Sequence, residues 1–464
     1  MKKIYITKIV LFIGVILAFI LNMNIKSNQV SEIDNRVLTE FSSIFSGSDI
    51  TDNIENYIND RIGFRTNMMN FYNRTMDLAF GEMVHPNYQY GEDGYIFFKL
   101  SKTNFDEDFQ EVYSDFIKDF EDYCNDRDID FLYTLEPSKD SIYTEFLPKG
   151  YVYNNLNSPY FINLLENKGV NFLNNTEVLR DFKSNIQIFD RKFDAGHWNE
   201  TGALIGISAI LDKLNDLDNR VGSLDINKFN AVEHINKTLP VSYFPIEEKT
   251  THYNLIEDNS EETLLFQDEI ELNKNYTTFA HYKNNANLDA PKILIFAGSF
   301  FNNKDKFLTE NFSEVIKVHN YHNVVNYDYY INIFNPDIVL FESTEYTHSD
   351  SYFPRDKMRD IRYNKSIKSY LNLKEDNFVN LENAKLNKSG ENLIKFSIPI
   401  NSEDVLYSYS HINNRILDCK INLIDGKKYV EFSIPKSEIE NLDNFDLYFI
   451  SKDEERYQKI SINY

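Results

Sequence analysis

Between Ile129 and Phe341 short apolar runs alternate with amphipathic segments, and this rhythm restricts the chain to one broad class of fold. Ile129–Leu135, Val170–Leu173, Ile186–Phe189, Lys292–Ala297, Val315–Val318 and Asp337–Phe341 read as strands. Phe105–Arg127, Pro159–Lys168, Thr176–Phe182 and Ala203–Leu211 read as helices, and a further helix is expected between the last two strands. Strand–helix–strand repetition predicts an α/β domain, a parallel sheet flanked by helices. Loops at the carboxyl ends of such strands share one edge.

The flanking regions break this rhythm. Lys2, Lys3 and Lys8 precede the apolar run Ile9–Ile25, which is near the short end of what spans a bilayer. Lysines on the short side predict a single pass with the N-terminus cytoplasmic and the rest outside the cell membrane. Asn22-Met-Asn-Ile-Lys26 offers a poor small-residue cleavage site, which favours an uncleaved signal anchor over a cleaved signal peptide. Residues 26 to about 50 are polar and read as a tether. Ile54–Phe80 has the spacing of one helix, and Gly91–Gly94 reads as a turn into a strand through Phe98. Residues 220–290 form a polar insertion beside the sheet. Beyond residue 375 come five strand-like runs, with Asp425-Gly426 as a hairpin turn, and a small antiparallel β-sandwich is expected. The expected division is 1–28 (cytoplasmic stub and transmembrane anchor), 29–370 (α/β domain) and 371–464 (β-sandwich).

Chemistry concentrates at two strand ends. Asp194 and His197, three residues apart, follow Ile186–Phe189 and can share a hydrogen bond. Ser299 follows Lys292–Ala297 across Gly298. The fold brings the three to one rim. His197 would take the Ser299 proton, and Asp194 would fix the imidazole tautomer and stabilise imidazolium. Backbone N–H groups at Gly298, Ser299 and Phe300 are candidates for the oxyanion site. The competing readings are ordinary: Ser299 as a helix N-cap, His197 as a packed loop histidine, Asp194 as a turn residue. Lys139 and Trp198 are candidate substrate-binding residues, although capping or an ion pair with Asp140 would equally explain Lys139. Glu342 and Glu345 follow a strand and could line the rim, although a solvated strand end is the better reading; Arg355, Arg359 and Arg362 read as an ion-paired surface beside Asp356 and Asp360.

These residues resemble a known group, the SGNH-hydrolase-like domain of alginate O-acetyltransferases of the AlgX and AlgJ type. Asp194-x-x-His197 with His197-Trp-Asn-x-x-Gly-Ala203 is similar to their Asp/His block, and Ala297-Gly-Ser-Phe300 to their Gly-Asp-Ser-Phe block. Glu136-Pro-Ser-Lys139 resembles their Pro-x-Lys turn, Asn335–Glu342 their late Pro-Asp strand, and residues 34–36 with Gly91–Phe98 their juxtamembrane entry. The likeness runs in order through residues 30–350. It implies an SGNH-hydrolase-like sheet and transfer of an acetyl group, through acyl-Ser299, to an extracellular polysaccharide. It also implies a partner, a membrane-bound O-acyltransferase that supplies the acetyl group. The chain departs from the family at Ala297 and Gly298, where the family has Gly and Asp, and no segment matches the asparagine that completes the oxyanion hole in related hydrolases.

Other classes fare worse. Asp+Glu 72 against Lys+Arg 48 gives a net charge of −24, which argues against a nucleic-acid partner. Cys124 and Cys419 form neither a disulfide framework nor a metal motif, and His319, His322 and His348 lack metal-ligand spacing. No cofactor and no metal is expected. A secreted carbohydrate esterase or deacetylase would use the same three residues. A non-catalytic glycan-binding or assembly protein stays open through the Asp-to-Gly departure and the C-terminal β-domain.

Overall fold

The computed structural model describes every residue except 1, 28, 32–35, 46–48, 86, 101–103, 241–243, 362, 382–389, 414, 440–443 and 464. Asp34, Asn35 and Arg362 therefore lie outside the described residues.

The chain begins with an apolar helix, α1 (Lys2–Leu21), whose Lys3–Leu21 segment has a mean hydropathy of 2.7. It is long and apolar enough to be a transmembrane anchor or a signal sequence. The single helix expected over 54–80 is two, α2 (Ile50–Arg61) and α3 (Arg65–Phe80). They part at Ile62-Gly63-Phe64, where Phe64 takes a left-handed φ of 63°. The break packs on the end of α1, with the Gly63 N–H donating to the Phe19 carbonyl at 3.1 Å. A Cβ on Gly63 would meet that oxygen at 2.6 Å, so the approach requires glycine. Arg61 is buried and donates to the carbonyls of Asn24 (3.0 Å), Lys26 (2.6 Å) and Thr39 (2.6 Å), which gathers the tether onto α2.

A small hairpin follows, β1 (Tyr88–Tyr90) against β2 (Ile96–Phe98). Then come α4 (Glu107–Asn125), β3 (Asp130–Glu136), α5 (Asn157–Lys168), β4 (Phe172–Asn174), α6 (Asn175–Phe182) and α7 (Glu200–Asn215). Within residues 220–290 lie a two-stranded hairpin, β5 (Phe229–Thr238) with β6 (Pro245–Leu255), and two more strands, β7 (Ser260–Glu262) and β8 (Phe279–Asn284). The strand–helix rhythm resumes with β9 (Lys292–Ala297), β10 (Glu314–His319), α8 (Tyr327–Phe334) and β11 (Ile338–Thr344).

The principal sheet runs β4-β3-β11-β9-β10-β8-β7. Its first five strands are parallel, and β8 and β7 add an antiparallel edge. The segment 220–290 thus extends the sheet as well as standing beside it. Central strands are buried on both faces, which explains their unbroken apolar runs. Leu294 and Phe296 of β9 face a core with Phe116 and Phe120 of α4. Ile293, Ile295 and Ala297 face the opposite core, with Ala203, Ile207, Ile210 and Leu211 of α7. The α7 residues recur at the spacing of one helical face.

One expected strand is absent. Ile186–Phe189 joins no sheet; Phe189 makes only an isolated antiparallel bridge to Trp198. Its apolarity reflects burial of Ile188 and Phe189 in the α7-side core, not strand pairing.

The C-terminal region is one curled sheet rather than two separate ones. Six strands, β12 (Leu393–Asn401), β13 (Val405–Ile412), β14 (Arg415–Ile424), β15 (Lys427–Pro435), β16 (Asn444–Ser451) and β17 (Arg456–Asn463), run in the order β17-β16-β13-β14-β15-β12 with two short edge strands. The bend lies in β14, which pairs with β13 through Cys419 and with β15 from Lys420 onward. The two halves close over one core, where Phe396 meets Phe432 (4.7 Å) and Phe445 (5.0 Å). This sheet is tied to the first through buried Asp418. Arg127 at the end of α4 pairs with its carboxylate at 2.7 Å, the Tyr123 hydroxyl donates to the same group, and the Asn332 side chain bonds its backbone N–H and C=O. Cys124 and Cys419 are buried and free.

Candidate active site

Ser299 opens a 3₁₀ turn (Ser299–Phe301) directly after β9 and Gly298. Ser299 is not the N-cap of this turn, a place that Gly298 holds. Instead, Ser299 Oγ lies 2.8 Å from His197 Nε2. The other ring nitrogen, Nδ1, lies 3.0 Å from Asp194 Oδ2 and 3.2 Å from Oδ1. The three side chains form a continuous line from carboxylate to hydroxyl, and Ser299 is partly exposed at its end.

The loop holding Asp194 and His197 is rigid for local reasons. Asp194 Oδ1 accepts the N–H groups of Gly196 (2.9 Å) and His197 (3.0 Å), closing an Asx turn. Two residues beyond His197, Asn199 caps α7 through the Gly202 N–H at 2.8 Å. Trp198 packs beneath, its ring so close to Gly206 that a Cβ there would meet it at 2.4 Å.

Electrostatics suit a proton relay. Burial raises the Asp194 pKa, but the His197 contact and the two N–H donors outweigh it and hold the carboxyl at about 2. For His197, burial works downward, and the hydrogen bond and charge of Asp194 reverse it, so the imidazole sits above its ordinary value.

Several expected binding residues turn out to be internal supports. Lys139 is 1% exposed, and its ammonium donates to the carbonyls of Ile96 (2.7 Å), Asp194 (3.1 Å) and Arg191 (3.2 Å). Its ammonium thus holds the Asp194 loop, and burial pulls its pKa down to about 8. Trp198, 2% exposed, donates its indole N–H to the Phe300 carbonyl at 2.8 Å and offers no face to a ligand. The Gly298 N–H is also committed, donating to Glu342 Oε2 at 2.6 Å, and leaves the oxyanion set. Ser299 and Phe300 retain N–H groups with no acceptor among the described residues.

Three further residues surround this site, and of these only Glu342 is placed at the rim by one reading of the sequence. Glu342 is buried at the end of β11, not solvated, and burial pushes its pKa up. Glu248 on β6 accepts the N–H groups of Arg191 (2.6 Å), Lys192 (2.6 Å) and Phe193, clamping the segment that leads into Asp194. Tyr346, two residues after β11, is 44% exposed; burial raises its hydroxyl pKa, and the nearby Ser299 hydroxyl opposes the rise. None carries a sequence signal beyond its residue type. Glu345 accepts the Ser138 N–H at 3.2 Å. Arg355 pairs with Asp106 (2.6 Å), Asp108 (2.5 Å) and Asp350 (2.9 Å), and Arg359 with Asp108 (2.5 Å), an ion-paired surface.

No protein-family model and no curated protein sequence matches the chain. Solved structures similar to it include Bacillus cereus PatB1 with a sulfonyl adduct, at 19% identity and a TM-score of 0.45 over 56% of this chain and 95% of that one. The O-acetyltransferase domain of Pseudomonas putida AlgJ is similar at 16% identity and a TM-score of 0.41, over 60% of this chain and all (100%) of that one. Pseudomonas aeruginosa AlgX is similar at 11% identity and a TM-score of 0.32, over 84% and 92%.

Proposed function

We propose that the chain is a membrane-anchored, extracytoplasmic serine acyltransferase that O-acetylates a cell-surface or secreted polysaccharide. Its α/β sheet would be an SGNH-hydrolase-like one, with α1 as the anchor. The observation that carries the reading is the line Ser299–His197–Asp194, with contacts of 2.8 and 3.0 Å.

In this reading His197 Nε2 removes the Ser299 proton as Oγ attacks the carbonyl of an acetyl donor. The resulting oxyanion is met by the donors at hand, the Ser299 and Phe300 N–H groups and the Tyr346 hydroxyl. His197 returns the proton to the leaving group, and acetyl-Ser299 remains. A sugar hydroxyl then enters, gives its proton to His197 and attacks the acyl carbon. Collapse transfers the acetyl group, and the His197 proton returns to Ser299 Oγ. Asp194 stays ionised throughout and stabilises the imidazolium. Two exposed aromatic residues, Tyr346 and Phe98, the latter with its ring against Gly196 of the Asp194–His197 loop, suit an extended carbohydrate acceptor. A membrane-bound O-acyltransferase is the proposed source of the acetyl group.

The test is labelling of the full-length protein with an active-site serine probe, followed by turnover of an aryl acetate with and without oligosaccharide. The wild type is expected to label and to give acetylated sugar, and Ser299→Ala to do neither. Labelling that persists in Ser299→Ala overturns the assignment. Free acetate as the sole product makes the protein an esterase on the same acyl-enzyme. Sugar binding without turnover by the wild type makes it a glycan-binding protein.

A further inference from the structure

Helix α3 is turned inside out relative to a helix on a water-exposed surface. Met68, Phe71, Tyr72, Leu78 and Ala79 share a stripe covering roughly a third of its circumference; all are exposed, and the one polar residue within it, Thr75, returns its hydroxyl to the Phe71 carbonyl at 2.8 Å. Phe71 and Leu78 are each 76% exposed. The protein-facing side is mixed: Asn73 is buried between half-buried Met69 and Met76, and Asp77 accepts the Tyr90 hydroxyl at 2.8 Å. Asp77 is the only acid in α3, in a chain of net charge −24. An apolar stripe of this length left to water marks an interaction face.

Its position says what covers it. The stripe starts at Phe64, whose ring meets the ring of Phe19, in the last turn of α1, at 5.9 Å. Two backbone hydrogen bonds fix the junction: Gly63 N–H to Phe19 C=O (3.1 Å) and Asn24 N–H to Arg61 C=O (2.9 Å). If α1 spans the bilayer, Phe19 lies at the outer boundary of the hydrocarbon, and the α2–α3 elbow is held at that boundary. From there α3 runs roughly 24 Å at 1.5 Å per residue. We propose that α3 lies in the bilayer interface, with the Phe71/Leu78 face among the acyl chains and the Asn73/Asp77 face toward the protein. This rests on α1 being a membrane anchor. It would fix the catalytic sheet against the membrane instead of leaving it on a free tether, and so set where Ser299 meets a membrane-delivered acetyl group.

Because Cys124 and Cys419 are buried, an introduced cysteine can be labelled selectively in the full chain. Phe71→Cys, Leu78→Cys, Ile13→Cys and the remote, exposed Leu423→Cys would each carry an environment-sensitive dye. Each is reconstituted in phosphatidylcholine vesicles with shallow brominated acyl chains. Dyes at Phe71 and Leu78 are expected to lose fluorescence to the same order as the dye at Ile13, with the dye at Leu423 unaffected. Quenching at Ile13 alone overturns the proposal while α1 stands as an anchor, and leaves the stripe for a protein partner. No quenching at Ile13 removes the anchor reading and the proposal with it.

Discussion

Trp198 donates its indole N–H to the Phe300 carbonyl at 2.8 Å, one residue beyond each of the two groups, His197 and Ser299, that meet at 2.8 Å. The two contacts run side by side between the same two loops. One carries the proposed proton transfer and the other sets its length. Trp198→Phe keeps the ring and removes the donor, leaving a buried carbonyl unpaired. It is expected to destabilise the fold by about 1–2 kcal/mol and to lower kcat by about 10- to 100-fold through misplacement of Ser299. Urea denaturation and steady-state kinetics on an aryl acetate measure the two effects, and an unchanged kcat would refute the bracing role.

The second prediction concerns pH. His197 accepts a proton only when neutral, so activity is present above its folded-state pKa and lost below it. Burial would lower that pKa, and Asp194 more than offsets this, so the acid limb of kcat/KM should lie above the ordinary histidine value. Asp194→Asn removes the raising charge. The acid limb should move to lower pH while kcat falls by about 10⁴-fold. A pH–rate profile in which the two limbs coincide would show that Asp194 does not act on His197.

Lys139 holds three carbonyls from two separate segments. Lys139→Met preserves the stem and deletes every donor. A loss of about 3 kcal/mol is expected, with a lower kcat because the Asp194 carbonyl is released. Thermal and denaturant midpoints report the first effect. An ammonium that only bound substrate would raise KM and leave the midpoints in place.

Glu342 acts on the nucleophile's turn from below. Glu342→Gln keeps an acceptor for the Gly298 N–H, so folding should survive. It removes a carboxyl whose ionised form helps raise the His197 pKa, while burial holds its own pKa at about 7. The acid limb should therefore shift toward lower pH, by less than in Asp194→Asn, with KM unchanged. Glu342→Ala leaves the N–H unpaired and should cost about 2–3 kcal/mol. A Gln variant with the wild-type profile would limit Glu342 to folding.

Much of this was legible in the sequence because it rests on strong local patterns. Strands β9 and β11 are buried on both faces, so their apolar runs announce them. The Asp194–His197 spacing fits one loop, and Ser299 ends a strand. What stayed hidden depends on contacts without a period or a motif. Ile186–Phe189 has the composition of a strand, yet composition cannot separate pairing from burial. Glu342 and Glu248 bind backbone N–H groups, and every residue but proline has one, so no partner could be read. The burial of Lys139 could not be read because a lysine is normally solvated, and only the fold gathers three carbonyls around it. Gly63 did mark the break between α2 and α3, but a lone glycine inside a helical pattern is a weak signal.

The enclosure of Asp418 bears on how the protein is made. Arg127 precedes its partner by 291 residues, so during synthesis α4 emerges long before the group that neutralises its last turn. Tyr123 and Asn332 wait for the same residue. A chain synthesised from its amino end should therefore hold its α/β half incomplete, and finish folding only when the final strands arrive. Shortening the carboxyl end before Asp418 is expected to yield a trapped intermediate, not a smaller enzyme.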